Sequence, residues 1–455
     1  MATPNIIFIL MDDMGWMDLG CYGSTFYETP NLDRLSAEGM RFTDAYASCP
    51  VCSPSRASVM TGKYPATLGI TNWIGANDRG KLKEVPYVDH LPLEETSIAT
   101  RLSGLGYRTW HVGKWHLGER PYYPDRHGFD VNVGGCDWGM PKNGYFSPYG
   151  IETLEDGPEG EYLTDRLTDE AIGLIRNNAA GRPFFLNLWH YSVHTPIEAK
   201  EEDIVRFRRK AAELGLDKIE PMAEGECFPC EHKKHLRVQR RIIQSDPVYA
   251  AMIYNLDWNI GRLLEALEAT GQRDNTVIFF TSDNGGLSTA EGSPTCNFPL
   301  SEGKGWMYEG GIREPLIVSW PGVIPEGSVC NVPVSSVDFY PTLAELAGAD
   351  PNEDPGVEGE SLVPLLTGNG ELEREAIYWH YPHYGNQGGT PFSSVRKGDY
   401  KLIEFYEDNR VELYNLREDM SERTNLAEAL PDRVRELRAL LDNWKQRTGA
   451  VIPTA

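Results

Sequence analysis

The sequence predicts an α/β fold, a large and mostly parallel sheet sandwiched by helices, with a small antiparallel sheet and one helix appended at its C-terminal end. Three observations carry this. Short runs that are apolar at nearly every position recur along the chain, helix-length patterns lie between them, and from about residue 375 the pattern changes to short strands separated by turn residues. A strand apolar on both faces belongs in a sheet covered on each side, which is the usual setting of parallel strands.

The elements follow in order. Asn5 to Met11, Pro183 to Trp189, Thr276 to Thr281 and Leu316 to Trp320 are the fully apolar runs, and Tyr107 to Val112 reads as a further strand. Thr29-Pro30 opens a helix that Gly39 stops, with a cap, a first-turn proline and a C-terminal glycine. Pro54 suits the first turn of a second helix that continues through Arg56 to Met60 and ends at Gly62. A longer helix is predicted from about Asp246 to Ala269, with Pro247 near its start and Gly271 after its end. Ser394 to Arg396, Tyr400 to Phe405 and Val411 to Tyr414 are short strands, and an amphipathic helix over about Pro431 to Arg447 packs on them. The Gly/Pro/acid-rich stretch from Asp350 to Gly370 divides the chain into a main domain, 1–370, and a C-terminal α+β subdomain, 371–455.

The bulk numbers narrow the function. At 455 residues the chain buries a substantial core without staples. Its formal charge of -24 argues against nucleic acid or an anionic membrane as partner, because the long-range field repels both. Any anionic ligand must therefore be drawn in by a local cluster of cations. No span approaches the roughly 20 apolar residues that cross a bilayer, and no leader pattern precedes the first strand, so the chain reads as cytoplasmic. Eight cysteines are too sparse for a disulfide framework, and most are expected to be reduced.

Polar residues gather where ligands bind in such sheets, beyond the carboxyl ends of the strands. The first strand ends in Asp12-Asp13, and the strand from Thr276 ends in Ser282-Asp283-Asn284-Gly285. One acidic turn alone is a solvated turn acid more often than a site. Two at strand ends of one sheet make an oxygen-rich nest that suits calcium or magnesium rather than zinc. Lys114 and His116 follow the strand at Tyr107, His194 follows the strand ending at Trp189, and Lys304 follows the second acidic turn. His111 and His190 lie on or next to strands and read as structural histidines. Cys52 sits at a helix N-terminus, where orphan N–H groups favour an anion and a nucleophile alike. The Cys49-x-x-Cys52 spacing also occurs in redox pairs and half zinc sites, but the matching thiols are absent.

These residues resemble the formylglycine sulfatases of the alkaline-phosphatase superfamily. Cys52-Ser53-Pro54-Ser55-Arg56 matches the family's maturation motif, and Gly106 to Thr109 through Gly113-Lys114-Trp115-His116-Leu117-Gly118 matches its second signature. Pro4-Asn5-Ile6 through Asp12-Asp13, the Asp283-Asn284 turn, and Lys304 followed by Glu309 to Pro315 fit as well, while Val193 stands where relatives often have proline. The resemblance implies an alkaline-phosphatase-like catalytic domain with a large mixed, mostly parallel sheet. It also implies one calcium ion held by Asp12, Asp13, Asp283, Asn284 and the modified Cys52, and a maturation enzyme that oxidises Cys52 to formylglycine. In the family the hydrated aldehyde attacks sulfur, and the resulting sulfated hemiacetal collapses to release sulfate. By the same resemblance Arg56 and Lys114 stabilise the diol, His116 is the base for the collapse, and His194 and Lys304 contact the sulfate, one of them protonating the departing alcohol.

The alternatives are a phosphomonoesterase or phosphonate hydrolase of the same superfamily, and an inactive glycan-binding homologue. The first would want Ser or Thr with paired zinc ligands, and the second a broken motif; neither is present. The alcohol is chosen elsewhere, by segments around Trp73, Trp138, the 200–245 insertion, His380 and His383, whose aromatic and hydrogen-bonding groups suit a sugar. A sulfated galactose or N-acetylgalactosamine unit of a glycan is the expected substrate, with an aryl or steroid sulfate as the alternative. Within the insertion, Cys227, Cys230, His232 and His235 have the spacing of soft metal ligands, although a surface loop with two reduced cysteines is the preferred reading.

Overall fold

The computed structural model describes residues 3–178, 181–350, 353–354 and 356–455. Part of the predicted boundary stretch, Pro351, Asn352 and Pro355, lies outside the described residues. Among the described residues fifteen strands form: β1 (Asn5–Met11), β2 (Met40–Tyr46), β3 (Arg108–Gly113), β4 (Val131–Val133), β5 (Phe184–Trp189), β6 (Met222–Cys227), β7 (Arg237–Arg241), β8 (Thr276–Ser282), β9 (Arg313–Ser319), β10 (Ser328–Cys330), β11 (Val334–Ser335), β12 (Ile377–Tyr381), β13 (Phe392–Lys397), β14 (Tyr400–Phe405) and β15 (Val411–Asn415).

The main sheet has the order β10-β2-β9-β8-β1-β5-β3-β4, with β11 pairing on β2. Every residue of β1, β5, β8 and β9 is buried, as their unbroken apolar sequences require. One helix group, Pro30–Ala37, Leu163–Asn177, Glu201–Glu213 and Pro247–Ala269, packs together, and a second, Cys52–Thr61, Ile98–Gly104 and Phe339–Leu346, packs together elsewhere on the sheet. The one departure from parallel order is β9. It runs antiparallel to both β8 and β2, so the apolar run at Leu316 belongs to an antiparallel strand. Burial on both faces, which that run correctly signals, does not set direction.

β1 lies between β5 and β8, parallel to both, with Leu10 opposite Trp189 and Thr281. β3 continues the parallel set, with Gly113 opposite Trp189. The carboxyl ends of β1, β3, β5 and β8 therefore share one edge, and each is followed by residues picked out above. Backbone bonds carry the order past the strands: Asp12 N–H donates to Ser192 O at 3.0 Å and Asp283 N–H to Met11 O at 3.1 Å. Gly113 is needed where it stands. Its φ is +106°, and a Cβ there would lie 2.0 Å from Trp189 O.

The C-terminal sheet is antiparallel, β12-β13-β14-β15, and helix Pro431–Thr448 packs against β13 and β14. Its first strand, β12, was not foreseen; it carries Trp379 and His380 into the sheet. The 200–245 insertion folds as helix Glu201–Glu213 followed by the β6–β7 hairpin. No helix among the described residues is long and apolar enough to cross a membrane.

Candidate active site

The site is assembled at the shared strand edge. Helix Cys52–Thr61 starts at residue 52 itself, every residue of the helix is buried, and Gly62 ends it at φ 69°. Ser53 fixes the start: its hydroxyl donates to His116 O at 2.9 Å and accepts from Ile74 N–H at 3.1 Å. Cys52 Sγ then lies 3.3 Å from His116 Nδ1. His116 Nε2 is 2.9 Å from Ile74 O, and a carbonyl can only accept. The proton is thereby assigned to Nε2, and Nδ1 presents its lone pair to residue 52. Burial, then the positive charge of Lys114, holds His116 well below the ordinary histidine pKa, so the ring is a neutral base.

The acids behind Cys52 are fully buried and matched by cations. Lys114 Nζ donates to Asp12 Oδ2 at 2.7 Å. Lys304 Nζ reaches both oxygens of Asp13, at 2.8 and 2.9 Å. Arg56 Nε donates to Asp283 Oδ2 at 2.8 Å, and the guanidinium lies over the Trp189 ring. Burial raises Asp13, but Lys304 and His194 outweigh it and bring the carboxyl to about 2. Asp12 and Asp283 go the other way: burial lifts both, Asp283 to about 6, and the neighbouring carboxylates add to the lift. Asp13 and His116 both adopt positive φ, 62° and 57°, a region where Asp and His are among the tolerated residues and which clusters at functional sites.

A further positive charge fits here. Asn284 Nδ2 donates to Asp13 Oδ1 at 2.8 Å, which turns Asn284 Oδ1 away without a hydrogen-bond partner, and Asp12 Oδ1 also lacks one. These two orphaned buried oxygens, beside the carboxylates of Asp13 and Asp283, are an all-oxygen donor set, which suits calcium or magnesium. His194 stands at the edge of this nest, Nε2 3.6 Å from Asp13 Oδ2, with Nδ1 2.8 Å from Thr195 O.

Cys52, His116, His194 and Lys304 open on a cavity of about 510 Å³ whose walls include Trp73, Trp138, Asn386 and Gln387. A helix-borne nucleophile position, a neutral base against it, an oxygen nest and buried cations facing one cavity are the parts of an ester hydrolase for anionic groups. The sulfatase family model matches residues 4–349. The chain belongs to the sulfatase family. A second model, the C-terminal region of N-sulphoglucosamine sulphohydrolase, matches residues 302–446. Human N-acetylgalactosamine-6-sulfatase is 33% identical over 83% of this chain and 68% of its own length. Human arylsulfatase A is 32% identical over 88% and 74%, and a sulfatase of Formosa agariphila is 32% identical over 93% and 84%. Among solved structures, Ps i-CgsB in complex with k-i-k-neocarrahexaose superposes with a TM-score of 0.77 at 30% identity, covering 97% of this chain and 92% of that one.

The structure brings Asp12, Asp13, Cys52, Arg56, Lys114, His116, His194, Asp283, Asn284 and Lys304 of this sulfatase together. Trp73 and Trp138 line the cavity. His380 and His383 are not among the residues that line it. His380 is consumed by Ser393 Oγ at 2.7 Å and Val451 O at 3.1 Å, and His383 by Thr71 Oγ1 at 2.8 Å. Both are buried, where an unpaired imidazole would be costly. His111 is buried within β3, its Nδ1 accepting from Asn187 and its Nε2 facing Gly113 O, whereas His190, buried just after β5, has no hydrogen-bond partner among the described residues on either ring nitrogen.

Sequence reasoning missed Lys142, Glu119, Glu291 and Gln387 on the cavity wall. Lys142 had a signal, lying four residues after Trp138, and its Nζ sits 4.7 Å from that ring centroid. The others lie in irregular segments with no periodicity to read.

Proposed function

We propose that this sulfatase hydrolyses the sulfate ester of a galactose or N-acetylgalactosamine unit at a glycan end, using a formylglycine made from Cys52 and one calcium ion. The observation that carries it is the contact of residue 52 with the lone-pair nitrogen of His116 on the floor of a cavity walled by two tryptophans. As a thiol, Cys52 is held protonated by burial, which outweighs Lys114 and Lys304, and is a weak nucleophile. Oxidised and hydrated, the same position offers a hydroxyl nucleophile and a second hydroxyl whose proton can leave later.

The chain's own residues do the rest. His116 Nδ1 takes a proton at residue 52, and Ile74 O keeps the ring in that tautomer. Lys304 and His194, both on the cavity wall, contact the sulfate, and Lys304, whose Nζ carries protons while His194 Nδ1–H is bound to Thr195 O, is the one that delivers a proton to the departing alcohol. Asp12, Asp13, Asp283, Asn284 and residue 52 would hold the calcium, which polarises a sulfate oxygen when bound. Arg56 and Lys114 aim Asp283 and Asp12 and offset part of the burial that lifts their carboxyls. The same proposal treats 1–370 as the catalytic domain and 371–455 as a subdomain that supports the wall through Asn386 and Gln387.

Trp73 and Trp138 offer faces for sugar C–H groups, and Asn386 and Gln387 offer partners for hydroxyls, which supports the glycan reading. So does the similarity to N-acetylgalactosamine-6-sulfatase. The similarity to arylsulfatase A favours an aryl sulfate as the second reading. Two measurements test the proposal: a peptide map of active enzyme for an aldehyde at residue 52, and free-sulfate assays on sulfated monosaccharides, glycosaminoglycan disaccharides, steroid sulfates and aryl sulfates. An unmodified thiol in fully active enzyme overturns the nucleophile; a steroid or aryl sulfate with the highest kcat/KM overturns the glycan.

A further inference from the structure

A second group of metal-ligating side chains lies outside the active site. Asp78, Cys230 and His232 place one ligand atom each within 4.8 Å of one another. The group joins two segments far apart in sequence, the 71–85 strap that carries Trp73 and Ile74 and the turn of the β6–β7 hairpin. Their backbones are already adjacent, since Glu231 N–H donates to Arg79 O at 2.8 Å. Cys230 is fully buried, in an apolar cluster with Phe228, Val238, Trp306 and Tyr384. The Asp78 side chain is 6% exposed, and its Oδ2 is buried without a hydrogen-bond partner. A buried carboxylate oxygen normally finds one, so this orphan points to a ligand. Asp78 Oδ1 faces His232 Nε2 at 3.6 Å, too long for a hydrogen bond.

We propose that Asp78, Cys230 and His232 bind a zinc ion that staples the β6–β7 hairpin to the strap forming one wall of the catalytic cavity. The donors are one thiolate, one imidazole and one carboxylate, a borderline-soft set that selects zinc over calcium, in contrast to the oxygen nest at Asp12. Binding forms the sulfur–zinc bond as the Cys230 S–H bond breaks, and the proton goes to solvent. His232, half exposed, closes the site from the outside, and water completes the tetrahedron. Lys233, whose charge acts on both Asp78 and Cys230, spends its Nζ elsewhere: it donates to Asn386 O at 2.8 Å and lies over the Phe228 ring. Cys227 and His235, which the spacing alone would enlist, are exposed and line a separate cavity with Lys233 and Glu291. The ligand set therefore differs from the one the Cys-x-x-Cys spacing suggests, because Asp78 comes from 152 positions upstream of Cys230.

The test is zinc binding by the full chain after chelation and desalting, titrated with zinc chloride in saturating calcium so that the catalytic nest is filled. The wild-type chain should retain about one equivalent of zinc. His232→Ala removes an exposed side chain and leaves the fold intact by circular dichroism, and it should weaken zinc at least about tenfold. Cys230→Ser should do the same, while Cys227→Ser and His235→Ala should bind as wild type. Zinc should also slow hydrogen exchange of residues 222–241 in wild type and not in His232→Ala. No zinc retained by wild type, or zinc lost equally from Cys227→Ser and His235→Ala, overturns the proposal.

Discussion

Replacing Lys304 by methionine separates substrate binding from metal binding. Lys304 Nζ is the cation on both oxygens of Asp13 and is also on the cavity wall with Cys52 and His194. If it holds the sulfate, the variant loses one charge-assisted hydrogen bond, about 1.5–3 kcal/mol. At about 1.4 kcal/mol per factor of ten, that is roughly a ten- to hundredfold fall in kcat/KM. Initial rates of sulfate release from a sulfated monosaccharide and from an aryl sulfate should fall together, because both present the same sulfate.

Calcium binding should move the other way. Lys304 competes with a cation for the Asp13 carboxylate, so its removal should leave calcium affinity equal or higher by isothermal titration. An uncompensated Asp13 would destabilise the apo chain by up to about 3–5 kcal/mol, and excess calcium should recover most of that in urea unfolding. A variant whose kcat/KM stays within about threefold of wild type, or one whose calcium affinity falls with its activity, would refute this account. The second outcome would mean that Lys304 builds the metal nest rather than gripping the substrate.

Chelation should abolish turnover, calcium should restore it, and zinc should not, since the nest offers oxygen alone; elemental analysis of active chain showing no calcium or magnesium would contradict this. At about 100 times its Kd, calcium should also add about 2.7 kcal/mol to unfolding stability. Lys401→Met should cost about 3–5 kcal/mol in urea unfolding, because Lys401 Nζ lies 2.8 Å from Glu309 and 2.5 Å from Glu422, all three buried. Burial raises Glu309, but Lys401 and Arg313 outweigh it and hold it at about 2, below its unfolded value of 4.5. Its contribution is therefore present above about pH 4.5 and lost as pH falls toward 2, and the variant should show less of that acid-side loss.

The sequence made the floor of the site legible and its cavity wall poorly so, for a physical reason. Asp12, Lys114, His194 and Asp283 follow apolar strands whose carboxyl ends share one edge of the sheet, so residues as far apart as Asp13 and Asp283, 270 positions, could be gathered from the strand pattern. Cys52 was legible because its helix carries its own start and stop signals at Pro54 and Gly62. The strand at Trp379-His380-Tyr381 was not legible because its mix of aromatic and polar residues looks like a loop, while pairing as β12 sets His380 against Ser393. The positive φ at Asp13 and His116, which aims both side chains, has no signature in residue type alone.

The net charge of -24 and an anionic substrate are reconciled by where the cations sit. Arg56, Lys114 and Lys304 are buried at the floor, whereas the rim carries Glu119, Asp137 and Glu291 against the single cation Lys142. Arg56, Lys114 and Lys304 are matched by Asp283, Asp12 and Asp13, so the floor would neutralise one sulfate through the charge of a bound calcium, but a second sulfate on the same sugar would meet the rim. At about 1 kcal/mol for two unit charges 4 Å apart in water, three acids against one lysine leave a net penalty on the order of 1–2 kcal/mol. A monosulfated sugar should therefore exceed its disulfated counterpart in kcat/KM by roughly tenfold at low salt, and the gap should narrow as added salt shortens the Debye length to about 8 Å at physiological strength and below. Glu291→Gln should narrow it further without changing turnover of the monosulfated sugar by more than about threefold, since a rim charge steers more than it catalyses. A disulfated sugar preferred at every ionic strength would mean that Lys142 dominates the rim and that the acids face solvent.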